Sequence, residues 1–261
     1  MDEKLLRGVL RDLPLGELRY FPTLSSTNDE ALAWAAQGAG DLSVVVADEQ
    51  TAGRGREGRK WFTPPGSALA FSLLMRPTEQ EQPYLSRVVG LAALSAAGAL
   101  RSYSLPVEIK WPNDLLVAGR KIAGILIESV WSGEAVDCTV IGVGLNVLRP
   151  SVPPPEMLNF PAVSIEELMG ETVPPREMIL RDILASFIAS RPRLTSDDLI
   201  SDWEESLAYR GENVDIIKSA SEKVSGRVVG LASDGSLLLD DRRGKRVTVR
   251  FGDVRLRPAE R

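Results

Sequence analysis

Residues 107–147 read VEIKWPNDLLVAGRKIAGILIESVWSGEAVDCTVIGVGLNV. Four apolar stretches of strand character, Val107 to Lys110, Asp114 to Val117, Lys121 to Val130 and Val136 to Val147, are divided by the turn signals Pro112-Asn113, Ala118-Gly119 and Ser132-Gly133. Strands joined by turns this short pair with their neighbours as antiparallel hairpins, so the stretch predicts a meander. Upstream, Ser43 to Ala47 and Ala68 to Met75 read as short buried strands. Helical patterns cover Lys4 to Leu13, Ala31 to Ala36, the alanine-rich Leu85 to Arg101, Pro175 to Ser190 and Ser196 to Leu207. Thr27 and Glu30 fit a capping box opening the second of these. Helices beside a strand-rich sheet, without regular alternation of strand and helix, predict an α+β fold with a mixed, largely antiparallel sheet and flanking helices.

The pattern changes after Val214 to short strands with turns at Ser233 to Ser236 and Arg242 to Lys245. A small β-barrel of about 45 residues is the expected form, which divides the chain into domains 1–212 and 213–261. Seven of the seventeen prolines crowd between Pro150 and Pro175, which marks a loop-rich connection rather than core.

The 261 residues carry 36 acidic and 31 basic side chains, a net charge of -5, which argues against a general electrostatic grip on nucleic acid. Histidine is absent, which excludes Ser-His-Asp and Cys-His triads and zinc sites built on imidazole. Carboxylates, lysines and arginines must carry any chemistry. The single cysteine, Cys138, lies in an apolar run where burial is its expected role, and without an intrachain partner it suits a reducing compartment. The N-terminus lacks a signal pattern and no apolar run approaches about 18 residues, so no membrane span is expected and the cytoplasm is the expected location.

Three segments concentrate chemistry. The first, Gly53-Arg54-Gly55-Arg56-Glu57-Gly58-Arg59-Lys60-Trp61, matches G-x-G-x-x-G, but Pro64-Pro65-Gly66 leaves no room for the helix that a dinucleotide fingerprint must open. What remains is a glycine loop with three arginines, suited to a carboxylate or phosphate, or else a solvated basic loop. Trp61 beside it offers a stacking face. The second, Lys110-Trp111-Pro112-Asn113-Asp114, sets a cation at a strand end against a turn bearing an amide and a carboxylate; the plainer reading is a Pro-Asn turn with an exposed lysine. In the third, Gly142 and Gly144 give up packing inside a buried strand that ends at Asn146, a sign of a ligand or of a bulge at close range.

Ser26-Thr27-Asn28, Gln50 to Arg56, Lys110 to Asp114, Lys121-Ile122-Ala123-Gly124 and Gly142 to Asn146 together, in this order and spacing, resemble the biotin protein ligases. The resemblance implies a class II synthetase-like catalytic domain followed by an SH3-like barrel. It also implies a two-step reaction in which biotin and ATP give biotinyl-5'-AMP, and a lysine of a biotin carboxyl carrier protein then takes the biotinyl group. Mg²⁺ would accompany ATP, and no protein metal ligand is assigned. By the same resemblance Ser26, Thr27, Asn28, Gln50, Gly53, Arg54, Gly55, Arg56, Lys110, Leu115, Gly124, Gly142 and Gly144 would bind biotin. Arg59, Trp61, Asn113, Lys121, Asn146 and Arg257 would bind ATP, with Arg255 the alternative to Arg257. Lys110, Arg56 and Asp114 are the catalytic candidates; Asp114 either orients or helps deprotonate the incoming lysine, or simply stabilises its turn. If Thr27 caps its helix, Ser26 is freer to bind.

Glu57 departs from the more basic loop of some relatives. Only about twenty residues precede the first motif, too few for the winged helix-turn-helix that some members carry, so neither DNA binding nor repressor activity is expected. The family's frequent dimerisation makes a homodimer the assembly to look for. Two other readings stay open: a lipoate ligase of related fold, and a biotin sensor that has kept the pocket without catalysis.

Overall fold

The computed structural model describes residues 1–217 and 223–250 and the backbone of 255–258. Among the described residues there are six α-helices: α1 Glu3–Leu10, α2 Thr27–Ala36, α3 Val88–Ser102, α4 Ile165–Met169, α5 Arg176–Ser190 and α6 Asp197–Glu205. Seven strands form the large sheet: β1 Leu18–Leu24, β2 Val44–Gln50, β3 Ala68–Met75, β4 Val107–Lys110, β5 Asp114–Val117, β6 Arg120–Ser132 and β7 Ala135–Asn146. Their order is β1-β2-β3-β7-β6-β5-β4, with β1 and β2 parallel and every other pair antiparallel. The meander from β4 to β7 is therefore present, with ends within one residue or two of those expected from the turns.

The two faces of the sheet bury different things. Along β7 the odd residues Ile141, Val143 and Leu145 enter the main core, which also takes in α3, α5 and α6. Cys138 and Val140, on the opposite face, join Ala31, Trp34 and Ala35 of α2 in a smaller cluster. Period-two alternation then sends Gly142, Gly144 and Asn146 to that second face, Gly142 beneath Asn28 in the first turn of α2 and Gly144 beneath Trp61. Cys138 is fully buried, and its burial pushes the thiol up to about 11, as suits an inert core residue.

Two expectations are corrected, and one strand is added to those read from the sequence. Strand β1 was not anticipated, because Pro22 interrupts its pattern; β1 lies at the sheet edge, where a missing N–H is tolerated. The N-cap of α2 is Ser26, whose Oγ accepts from the Asp29 N–H at 3.4 Å, and Thr27 is the first helical residue. The helical segment Gln82–Ser102, a 3-10 turn continuing into α3, is long and apolar enough to cross a membrane, contrary to the expectation that no run approached that length. It is mostly buried in the protein, where its alanines let α5 and α6 pack closely.

Five further strands, β8 Asn213–Ile217, β9 Lys223–Leu231, β10 Leu237–Asp240, β11 Arg246–Val249 and β12 Arg255–Pro258, form a second antiparallel sheet in the order β11-β10-β9-β8-β12. The turn between β9 and β10 docks behind the β4–β5 turn: the buried Trp111 donates its Nε1–H to the Gly235 carbonyl at 2.9 Å. Arg87, also buried, donates to the Ser233 carbonyl at 2.7 Å and to Asp197 at 3.0 Å.

Candidate active site

A cavity of 780 Å³ opens on the face of the large sheet that α2 leaves uncovered, lined by the arginine loop, the β4–β5 turn and the segment 151–162. Its floor is Gly124 of β6 and Gly142 and Gly144 of β7, with Gly124 and Gly144 paired across the strands. A Cβ on Gly142 would stand 2.2 Å from Asn28 Oδ1, and one on Gly144 would stand 2.2 Å from the Trp61 ring. Side chains from outside the sheet thus lie directly on its backbone, and only glycine permits it.

The arginine loop is a short irregular hairpin. Trp61 N–H donates to Gly53 O at 2.8 Å and Gly55 N–H to Arg59 O at 2.7 Å, and a 3-10 turn, Arg56–Gly58, forms the tip. Gly53 is required because a Cβ there would meet the Trp61 carbonyl at 2.5 Å. This pairing turns Trp61 onto the glycine floor, where its Nε1–H is buried without a partner among the described residues.

At the α2 side of the cavity a polar network is almost wholly buried. Gln50 Oε1 accepts from the Thr27 backbone N–H at 2.9 Å, Gln50 Nε2 donates to Thr63 Oγ1 at 3.1 Å, and Ser72 Oγ donates to Asn28 Oδ1 at 2.6 Å. At the opposite side stand the cations. Lys110 and Asp114 are cross-strand partners on β4 and β5, with the turn between them closed by Asn113, whose Nδ2 donates to Ile125 O at 2.7 Å. Asp114 lies 3.6 Å from Lys110 Nζ and 2.5 Å from Lys121 Nζ. The Lys110 ammonium also sits 4.1 Å from the centre of the Phe160 ring.

Burial pushes the Lys110 ammonium below its ordinary value; Asp114 opposes this, while Lys121 and Arg59 add to it. For Asp114 burial acts to raise the carboxyl, but Lys121 and Lys110 outweigh it and hold it below the usual range. A carboxylate so stabilised is a weak base and a strong acceptor. It suits orienting an amine better than deprotonating one.

The expected site residues whose side chains are described converge with one exception. Ser26, Thr27, Asn28, Gln50, Gly53, Arg54, Gly55, Arg56, Arg59, Trp61, Lys110, Asn113, Asp114, Lys121, Gly124, Gly142, Gly144 and Asn146 all line the cavity. Leu115 does not: it is fully buried in the main core, because its place next to Asp114 on β5 turns it to the opposite face. Arg255 and Arg257 lie on β12, and their side chains fall outside the described residues. Ser26 is engaged as a cap rather than free. Thr63 and Phe160 were missed. Thr63 is one polar residue in a loop read for its prolines, and Phe160 lies in a proline-rich segment with no periodic signal.

A class of protein follows from this combination of fold and cleft. Residues 20–146 match the Biotin/lipoate A/B protein ligase family, and residues 210–257 match the Biotin protein ligase C terminal domain. The chain is similar to the biotin--[acetyl-CoA-carboxylase] ligase of Mycobacterium tuberculosis, 36% identical over 97% of this chain and 95% of that protein. The corresponding ligase of Paracoccus denitrificans is 35% identical over 85% of this chain and 93% of its own. Among solved structures, the biotin protein ligase from Aquifex aeolicus in complex with biotin and ATP superimposes with a TM-score of 0.80, at 28% identity, covering 93% of this chain and 99% of that one. The chain belongs to the biotin protein ligase family.

Proposed function

We propose that this chain joins biotin to ATP and passes the biotinyl group to one lysine of a biotin carboxyl carrier protein, that of acetyl-CoA carboxylase being the acceptor its relatives' names favour. In the first step a carboxylate oxygen of biotin attacks the α-phosphorus of ATP and pyrophosphate leaves. In the second, the uncharged lysine amine attacks the acyl carbon of biotinyl-5'-AMP, AMP leaves, and the amine loses a proton. The observation that carries the reading is the largely buried Lys110, facing an arginine hairpin across a floor of glycine.

Two anions must meet in the first step, so fixed cations in a low-dielectric cleft supply most of the acceleration. Lys110, set by Asp114 and Phe160, fits the meeting point, and Arg56 and Arg59 fit the phosphates and carboxylate around it. The donors and acceptors of Thr27, Asn28 and Gln50 suit the ureido ring. Trp61, Asn113, Lys121 and Asn146 suit the adenylate side. Asp114, as a weak base, orients the acceptor lysine. Among the described residues no group of three or more His, Cys, Asp or Glu could hold a metal ion, so Mg²⁺ fits as an ion carried by the ATP phosphates. There it would neutralise charge on the departing pyrophosphate.

Biotin-dependent exchange of radiolabelled pyrophosphate into ATP tests the first step directly and separates a ligase from a sensor; lipoate in place of biotin should give none. Two further outcomes follow. The hairpin of residues 53–61 has its tip in solvent, so saturating biotin should slow proteolysis there by about tenfold; equal cleavage rates would contradict binding beneath it. Gly142→Ala drives a methyl group into Asn28 and should weaken biotin binding by about ten- to a hundredfold in calorimetry, with the melting temperature lowered by a few degrees.

A further inference from the structure

Arg54, which the sequence suggests as a ligand-binding side chain, is committed elsewhere. Its NH1 donates to Glu128 Oε1 at 2.9 Å and its NH2 to Glu128 Oε2 at 2.7 Å, a two-pronged ion pair. NH2 also donates to Asp29 Oδ1 at 2.6 Å, on the first turn of α2. Glu128 stands on β6, on the same face as Gly124 and Leu126, and its Oε2 accepts a third hydrogen bond from Asn28 Nδ2 at 2.7 Å. Asn28 in turn is 4% exposed, accepts from the fully buried Ser72, and lies against the bare backbone of Gly142.

One carboxylate thus joins two parts of the site that are distant in sequence. On one side is the base of the arginine hairpin, whose backbone bonds close it and whose tip and far strand meet the site through Arg56 at Asn113 and Trp61 on the glycine floor. On the other is the polar network of Thr27, Asn28, Ser72 and Gln50. Neither Glu128 nor Asp29 was singled out in the sequence, since an isolated acid in Ile125 to Val130 reads as a solvated strand position and its partner is 74 residues away.

We propose that Glu128 is a positioning residue: through the Arg54 fork and Asn28 it holds the arginine hairpin closed over the reaction cleft, and Arg54 acts on the hairpin rather than on the ligand. The assignment deepens the ligase reading and rests on it. An arginine neutralised by two carboxylates has little charge left for a substrate anion, which leaves that task to Arg56 and Lys110. A hairpin released from the sheet would still carry Arg56 and Arg59, but would open more often and let the bound intermediate escape.

The test is the release rate of pre-formed biotinyl-5'-AMP, measured by chase with unlabelled intermediate, in the parent, Glu128→Gln, Arg54→Met and the double variant, with the single-turnover adenylation rate and melting temperature recorded alongside. The expected result is release faster by about tenfold in each single variant and by no more than that in the double, with adenylation within about threefold of the parent and melting shifted by at most a few degrees. Arg54→Lys, which keeps the charge without the fork, should fall between Arg54→Met and the parent, and it carries the test where Glu128→Gln lowers the folded yield. Release from Glu128→Gln at the parental rate, or losses in the two single variants that multiply in the double, would overturn the assignment and return Arg54 to the ligand. A parent that forms no biotinyl-5'-AMP would instead overturn the ligase reading itself.

Discussion

Lys110→Ala loses biotin-dependent adenylation by about three powers of ten while keeping measurable affinity for biotin. A preorganised donor aimed at developing charge commonly carries two to three powers of ten, and Lys110 is a full charge at a largely desolvated position, 13% exposed. The fold should survive, because Asp114 keeps Lys121 at 2.5 Å and the removal relieves repulsion among Lys110, Lys121 and Arg59. Rapid-quench adenylation and calorimetry with biotin separate the two effects; binding abolished outright would make Lys110 a ligand anchor and not a catalytic group.

The pH dependence has a defined sign. Burial holds the Lys110 pKa below the ordinary lysine value of 10.5, so the folded chain binds fewer protons here than the unfolded chain between those two values. Lys110 therefore works against folding at neutral pH, and that penalty fades as pH rises toward 10.5. Adenylation moves the other way, losing its cation as pH rises through the lowered value. An alkaline limb below the usual lysine range is expected in the parent and is absent from the residual activity of Lys110→Arg.

Arg56→Gly should make the intermediate and fail to keep it. Arg56 stands at the hairpin tip, its NH1 3.4 Å from Asn113 Oδ1, and so spans from the loop to the turn that carries Lys110 and Asp114. Glycine removes the side chain from this crossing and frees the backbone of the tip. Losing charge-assisted hydrogen bonds of about 1.5–3 kcal/mol speeds release by one or more powers of ten, enough for the mixed anhydride to leave before transfer. Bystander proteins such as serum albumin should then acquire biotin on surface lysines, which the parent ignores. A variant that forms adenylate yet labels only its carrier, with no free intermediate after quenching, would show that Arg56 does not retain it.

The parts of the fold that sequence made legible are those where local signals coincide. Strands β4 to β7 end at prolines, glycines and Ala-Gly or Ser-Gly turns, and their ends follow. Strand β1 was illegible because Pro22 forbids a central strand, and only the tertiary order reveals that this one is an edge. The site divides in the same way. Glycines that permit close approach and charges in short motifs can be seen in one dimension, and Gly142, Gly144, Lys110 and Asp114 all reach the cleft. Leu115 shows the limit of motif reasoning, since adjacency along a strand means the opposite face. The pairing of Arg54 with Glu128 shows another, because an ion pair spanning 74 residues leaves no mark on either local pattern.

The central claim is that this chain transfers biotin to a protein lysine through an adenylate formed at Lys110. Mass spectrometry of a purified biotin carboxyl carrier domain, incubated with this protein, biotin, ATP and Mg²⁺, tests it most directly. The expected result is the mass of one biotinyl group on one lysine, dependent on ATP and lost with Lys110→Ala. An unmodified carrier under conditions in which a known biotin protein ligase labels it fully would contradict the claim.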